Sequence, residues 1–322
     1  MTTPATIVVC TLDRATYLRR LLAWFGALDH PAFEVVVVAG PSRDETPDVL
    51  REVAGRVKVV SNPVANLSRS RNLGIAAAAG DVVAFIDDDA LPIASDWLRG
   101  LVAVLDGDAR LGGVGGPVLI GDGDAWEFEG RLVSPYAEMR TPFEAAASGT
   151  GGDGWFPSVQ GNNCAFRRAA LLAIGGFDEA FTWHFDETDV CARLARRGYP
   201  IAYAPRGIVR HYRASSHSRR SPHDLDWATM AHADVYFALK TADAAAPRRL
   251  ARALRLAPTK YPFRLISQFY WDGHYGAGRR TVYLARWLRG VAAGVWTGLV
   301  RPRRTSLARD VVPPPFLPFR AA

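Results

Sequence analysis

Through the first ninety residues, short apolar runs alternate with segments whose apolar residues recur every three or four positions. The runs are Thr6–Cys10, Glu34–Ala39, Val57–Ser61 and Val82–Ile86, each bounded by polar or glycine-bearing turns. Strands that are apolar at nearly every position, rather than every second one, are those buried on both faces of a parallel sheet. Between them, Ala15–Leu28 sets Leu18, Leu21, Leu22, Phe25 and Leu28 on one helical face. Helices are also predicted near Pro47–Ala54 and across Ser68–Ala79, the latter closed by Gly80. Repeated β-α units imply an α/β fold with a mostly parallel sheet covered by helices. Right-handed crossovers then align strand ends of one sense along a single edge.

Further along, the pattern predicts a helix over Asp96–Leu105, a strand over Val114–Ile120 and ordered structure over Phe156–Phe166. It continues with a helix over Asp186–Arg197 and short strands at Ile201–Tyr203 and Ile208–His211. Gly121–Gly154 is rich in glycine, alanine and acids and predicts a loop region. From about Ser215 the texture changes to basic, aromatic-bearing helices ending in Pro313-Pro314-Pro315. Two parts are therefore expected: residues 1–215 as the α/β unit, and 216–322 as a basic, mainly helical region with a proline-rich tail.

Composition sharpens this division. With 322 residues, 49% apolar and 22% charged, the chain can bury a sizeable core, which excludes disordered and collagen-like classes. Cys10, Cys164 and Cys191 form no Cys-x-x-Cys pair, so neither a zinc ribbon nor a disulfide framework is expected, and a reducing compartment fits. No secretory signal or long apolar span is read, so a cytoplasmic location is expected. The net charge of +7 hides an asymmetry: residues 1–204 hold 18 basic and 26 acidic residues, and residues 205–322 hold 21 and 6. The acidic part suits a divalent cation and the basic part a polyanionic surface.

Asp87-Asp88-Asp89 follows the fourth predicted strand. In open α/β sheets ligands bind beyond the carboxyl ends of strands. Adjacent carboxylates repel one another unless a cation neutralises them, and hard oxygen donors suit Mg²⁺ or Mn²⁺. An isolated triplet also reads as a solvated turn; its place at a strand end favours the cation. A second group, Asp186-Glu187-Thr188-Asp189, opens a helix, where acids cap free N–H groups without any catalytic role. That reading suits Asp189, but one helix does not need every acid in the group. Gly161-Asn162-Asn163 offers close backbone approach and amides for a hydroxyl or phosphate, although turns share this composition. His211 reads alone as either a structural histidine or a metal ligand.

In order and spacing these pieces resemble the inverting family-2 glycosyltransferases, whose GT-A fold is a Rossmann-like, mostly parallel sheet flanked by helices. The resemblance spans roughly residues 5–215. It rests on Thr11-Leu12-Asp13-Arg14, Ser68–Gly74, Phe85–Asp89, Gly161-Asn162-Asn163, Gly175–Asp178, Asp186–Asp189 and His211-Tyr212. It implies a metal-dependent enzyme, using Mn²⁺ or Mg²⁺, that moves a sugar from a nucleoside-diphosphate sugar to a hydroxyl acceptor. A glycan, a lipid-linked sugar or a small molecule would each serve as acceptor. By position, the resemblance puts Thr11 and Arg14 beside base and ribose, Arg71 and Asn72 toward the nucleotide, and Asn162 and Asn163 in the donor-sugar pocket. Asp89 is the expected metal ligand, with Asp87 or Asp88 reaching the ribose, Asp87 also a candidate ligand, and His211 matching a histidine ligand of some members. Asp186-Glu187 stands where the family has Glu-Asp, whose second member is the general base; this implies Glu187, with Asp186 the alternative. Family members often carry a base-binding Asp after the second strand, and here the nearest acid is Asp44. Uridine, thymidine and guanosine donors are all compatible.

A sugar-nucleotide nucleotidyltransferase would share the nucleotide-binding half, but no glycine-rich, lysine-bearing loop follows the first strand. A non-catalytic nucleotide- or carbohydrate-binding protein would not need both acidic groups. In the basic region, Gly290–Val300 is uncharged between Arg289 and Arg301. It is too short to span a bilayer but suited to lying in its interface. An anionic membrane surface, at the inner face of the membrane, is thus one expected contact of these helices, and packing on the α/β core is the other. No nucleic-acid-binding motif is recognised.

Overall fold

The computed structural model describes residues 2–141, 154–215, 226–260, 277–300, 303–308 and 310–320. Four parallel strands form its centre: β1 (Ala5–Thr11), β2 (Phe33–Ala39), β3 (Lys58–Ser61) and β4 (Val82–Asp87). Their side chains alternate between two buried layers, Ile7, Val9, Val35 and Val37 into one, Val8, Val36 and Val38 into the other. Burial on both faces is why these strands read as unbroken apolar runs. The first layer is covered by α1 (Ala15–Trp24), α2 (Thr46–Glu52) and α4 (Trp97–Gly107). The second is covered by α3 (Leu67–Ala77), α5 (Arg168–Ala173) and α6 (Asp186–Arg196).

Beyond β4 the sheet continues through β12 (Asn163–Arg167), β6 (Gly113–Gly115) and β13 (Ile201–Tyr203), in the order β13-β6-β12-β4-β1-β2-β3. Only β12 runs against its neighbours. The single strand expected over Val114–Ile120 is two strands in different sheets. Pro117 has no N–H to donate, and a Cβ on Gly116 would collide with the Gly207 carbonyl, so the chain breaks there. It resumes as β7 (Val118–Ile120) in a small sheet ordered β5 (Ala90–Pro92), β14 (Val209–His211), β7, β8 (Trp126–Phe128). The expected loop over 121–154 contains β8, β9 (Arg131–Val133) and β10 (Met139–Arg140), while 142–153 lie outside the described residues. β9 also pairs with β11 (Phe156–Ser158). Strands of two or three residues are too short for periodicity to reveal them.

The basic region supplies α7 (Trp227–Thr241), α8 (Ala246–Lys260) and α9 (Ala277–Val300). α7 is buried on two sides. Ala233, Tyr236 and Phe237 join the layer of α6, while Trp227, Val235 and Leu239 meet Tyr283 and Trp287 of α9. Glycines at successive turns in the second half of α9 allow the close approach: a Cβ on Gly290 would strike the Ala228 carbonyl, and one on Gly294 would come within 2.7 Å of the His232 carbonyl. Part of the uncharged Gly290–Val300 segment is therefore helix–helix packing. The proline-rich tail ends against β2, where Phe319 stacks on Phe33 at 5.3 Å and the Leu317 N–H donates to Glu34 at 2.8 Å. Among the described residues no helix is long and apolar enough to cross a membrane.

Candidate active site

Strand register gathers the acids and their neighbours. Cys10 pairs with Asp87, so Thr11 and the Asp87–Asp89 triplet leave the sheet at one edge. β12 arrives with Asn163 opposite Ile86, which brings the preceding Asn162 to the same edge. In the small sheet His211 pairs with Ala90, immediately after the triplet. The first turn of α6 brings Glu187 in from the other side, entered through Phe185 in the left-handed region at φ 63°. A cleft of about 640 Å³ results. Of the sequence-predicted residues it is lined by Thr11, Arg14, Arg71, Asn162, Glu187, His211 and the triplet.

At the triplet, ligand atoms of Asp87, Asp89 and His211 lie within 4.8 Å of one another. Asp89 Oδ2 accepts the Ala214 N–H at 2.7 Å and lies 3.0 Å from Arg14 Nη1, while Oδ1 lies 3.3 Å from His211 Nε2. Burial disfavours the Asp89 charge, yet the His211 hydrogen bond, Arg14 and the Ala214 N–H hold its carboxyl at about 2. Burial pushes Asp88 the other way, to about 7, against the pull of Arg14. Burial also raises Asp87. Burial disfavours charged His211, but Asp89 and Glu127 lift it to about 9. Two carboxylates and an imidazole at this spacing form a donor set that fits Mn²⁺ or Mg²⁺.

Arg71, on α3, stands between the two acid groups. It is ion-paired with Asp186, 3.7 Å from Asp87 and 3.9 Å from Glu187, with its guanidinium over the rings of Phe177 and Phe85. Gly161 is required beside it, because a Cβ there would overlap the guanidinium. Burial and the neighbouring Asp186 charge push the Glu187 carboxyl well above the usual range.

Other sequence-predicted residues lie elsewhere. Asp186 is fully buried behind Glu187 and does not line the cleft. Asn72 turns away: its amide donates to the Phe177 carbonyl and to Glu179, and its oxygen accepts the Phe177 N–H at 2.7 Å. Asn163 is held by Trp97 Nε1 and by the carbonyls of Pro117 and Gly207. Asp44 accepts the N–H groups of Ala15 and Thr46, bracing the starts of α1 and α2. Arg14 does line the cleft, where its guanidinium meets Asp88, Asp89 and the Ala214 carbonyl. Asp189 is structural, but through ion pairs with Arg193 and Lys240 rather than as the cap of free helix N–H groups expected of it. Glu127 and Gln160, both lining the cleft, have no sequence signal because they sit on or beside three-residue strands.

The Glycosyltransferase like family 2 model matches residues 3–228. The chain is 34% identical over 103 residues to EpsH of Bacillus subtilis, covering 31% of this chain and 28% of that one. To protein y4gI of Sinorhizobium fredii it is 27% identical over 232 residues, covering 65% and 24%. The chain thus spans about a quarter of the length of these two relatives. To the N-acetylglucosaminyl-diphospho-decaprenol L-rhamnosyltransferase of Mycobacterium tuberculosis it is 23% identical over 250 residues, covering 68% and 79%. Among solved structures, mannosyltransferase PcManGT from Pyrobaculum calidifontis, in complex with GDP-Man and Mn²⁺, superposes with a TM-score of 0.58 at 20% identity, covering 92% and 88%. S. aureus TarS 1–349 in complex with UDP-GlcNAc gives 0.54 at 14% identity, covering 96% and 98%. These structural likenesses speak to the fold, a mostly parallel GT-A sheet between helices. Because the family model covers well over half of its length, the chain belongs to glycosyltransferase family 2.

Proposed function

We propose that this chain is a divalent-cation-dependent, inverting glycosyltransferase that moves a sugar from a nucleoside-diphosphate sugar to a hydroxyl acceptor. The observation that carries the reading is the convergence of Asp87, Asp89, His211 and Glu187 on one cleft, with Arg71 between the two groups. A nucleotide-sugar donor is supported by PcManGT, solved with GDP-Man and Mn²⁺, and by TarS, solved with UDP-GlcNAc. Asp87, Asp89 and His211 would hold the cation, which when bound offsets charge on the leaving diphosphate.

The chain's own groups do the rest. Arg71 supplies a fixed positive charge beside the developing negative charge. Asn162 Oδ1, buried with no hydrogen-bond partner among the described residues, offers an acceptor for a sugar hydroxyl. Glu187 takes the proton of the acceptor hydroxyl. It lines the cleft whereas Asp186 is locked behind it, and its raised pKa makes it a stronger proton acceptor. Attack from the face opposite the diphosphate inverts the anomeric centre without a covalent intermediate.

The exposed sides of α8 and α9 serve as a contact for an anionic membrane surface, near a lipid-linked acceptor. Neither helix contains an acidic residue. Leu254, Leu284, Leu288 and Trp296 are exposed among Arg252, Arg286 and Arg289. The mycobacterial relative is named for a decaprenol-linked acceptor, which supports that class. Sedimentation with phosphatidylglycerol vesicles tests this, with the protein staying in the supernatant as the refuting result. The activity is tested by following release of nucleoside diphosphate from UDP-, GDP- and dTDP-sugars with Mn²⁺ and with EDTA, and by NMR of the product anomer. No Mn²⁺-dependent release from any of them, or retained anomeric configuration, refutes the reading.

A further inference from the structure

We infer that Glu127 is a positioning residue for His211, fixing the imidazole so that Nε2 is the ring nitrogen presented toward Asp89. Glu127 lies on β8 and reaches past β7 to β14, the strand that carries His211. Its Oε2 lies 2.9 Å from His211 Nδ1 and 3.0 Å from Arg213 Nε, and its Oε1 accepts from Gln160 Nε2 at 2.7 Å. Both carboxylate oxygens are thus engaged by donors, and the side chain is only 11% exposed. A carboxylate anchored from both ends cannot turn away from the ring, and it can only accept. It therefore keeps a proton on Nδ1, so that Nε2 is the nitrogen that gives up its proton and offers its lone pair to a bound cation. That nitrogen lies 3.3 Å from Asp89 Oδ1, inside the group formed with Asp87. Glu127 is not part of that group, and its engaged oxygens distinguish a support from a fourth ligand.

The inference rests on the reading of Asp87, Asp89 and His211 as a cation site, and the experiment separates the two. Mn²⁺ alone is titrated into the full-length wild type and into Glu127→Ala, Glu127→Gln, His211→Ala and the Glu127→Ala/His211→Ala double variant, with free ion read by electron paramagnetic resonance. If the wild type does not bind Mn²⁺, or His211→Ala binds it as the wild type does, the cation-site reading falls and this inference with it. With that reading intact, Glu127→Ala should weaken binding about 10–100-fold. Glu127→Gln, which keeps an oxygen on Nδ1–H, should recover most of the loss. In the His211→Ala background the Glu127→Ala change should cost nothing further. Wild-type affinity in Glu127→Ala, or losses that simply add in the double variant, overturns the positioning role. A second readout needs no variant: nitrogen NMR of the imidazole in Mg²⁺-loaded wild type should show the proton on Nδ1. A proton on Nε2 overturns the inference.

Discussion

Asp89 and Glu187, one from each acid group at the cleft, are held in opposite ways. At the strand end, Asp89 meets Arg14, His211 and a backbone N–H and stays charged down to about 2, although burial raises its neighbours Asp87 and Asp88. At the helix start, Asp186 and Glu187 share one cation, Arg71, and the cleft-lining member of the pair is pushed up. Carboxylates surrounded by dedicated donors remain anionic and can keep hold of a cation. A carboxylate that is buried beside a like charge and short of donors releases its energy by taking a proton. Opposite environments on the two sides thus give one cleft two chemistries.

That contrast can be broken at several points. Asp89→Ala should abolish metal-dependent binding of the donor nucleotide, and an unchanged calorimetric titration with nucleotide and Mn²⁺ would remove Asp89 from the cation site. Glu187→Gln should lower turnover by roughly 10²-fold or more while nucleotide binding stays nearly intact. Wild-type turnover in that variant would transfer the role elsewhere.

The same residue carries a pH signature. The deprotonated form is the active one, so turnover should fall as pH drops through the raised Glu187 value, above the ordinary glutamate range. Stability runs the other way. A carboxyl whose folded pKa lies above its unfolded value favours folding when protonated and loses that contribution as pH rises through the folded value. Glu187→Gln should therefore melt above the wild type at neutral pH and close to it at acidic pH. Equal melting at both would show that Glu187 is not strained by its neighbours.

Smaller effects sharpen the picture. Gly161→Ala should press on Arg71, costing about 1–3 kcal/mol in thermal or denaturant unfolding and weakening both ends of the cleft together. Asp44→Ala should cost about 1 kcal/mol of stability through its lost caps and leave nucleotide affinity unchanged. Weakened nucleotide binding in that variant would return Asp44 to the base-recognition role its position suggested.

The central sheet was legible because β1, β2 and β4 are buried on both faces and cannot tolerate polar interruptions. The triplet, Asn162, Glu187 and His211 were legible through their order along such a sheet. What the chain does not announce is direction. Arg71 and Asn72 are neighbours on α3, yet about 100° of helical rotation separates their side chains, sending one to the cleft and the other to Phe177. Asn162 and Asn163 divide in the same way at the start of β12, where consecutive side chains take opposite sides. Glu127 left no trace because its strand is three residues long and its partners lie 33, 84 and 86 positions away.

His211 owes its neighbours to two cross-strand pairings, with Ala90 on one side and Ile120 on the other. Ribbon geometry reverses a side chain with every residue of slippage. A one-residue slip of β14 against β5 and β7 would swing the ring to the far side of its sheet, every ligand still present in the gene. The register of that strand is thus as strict a determinant of this corner as the histidine codon itself.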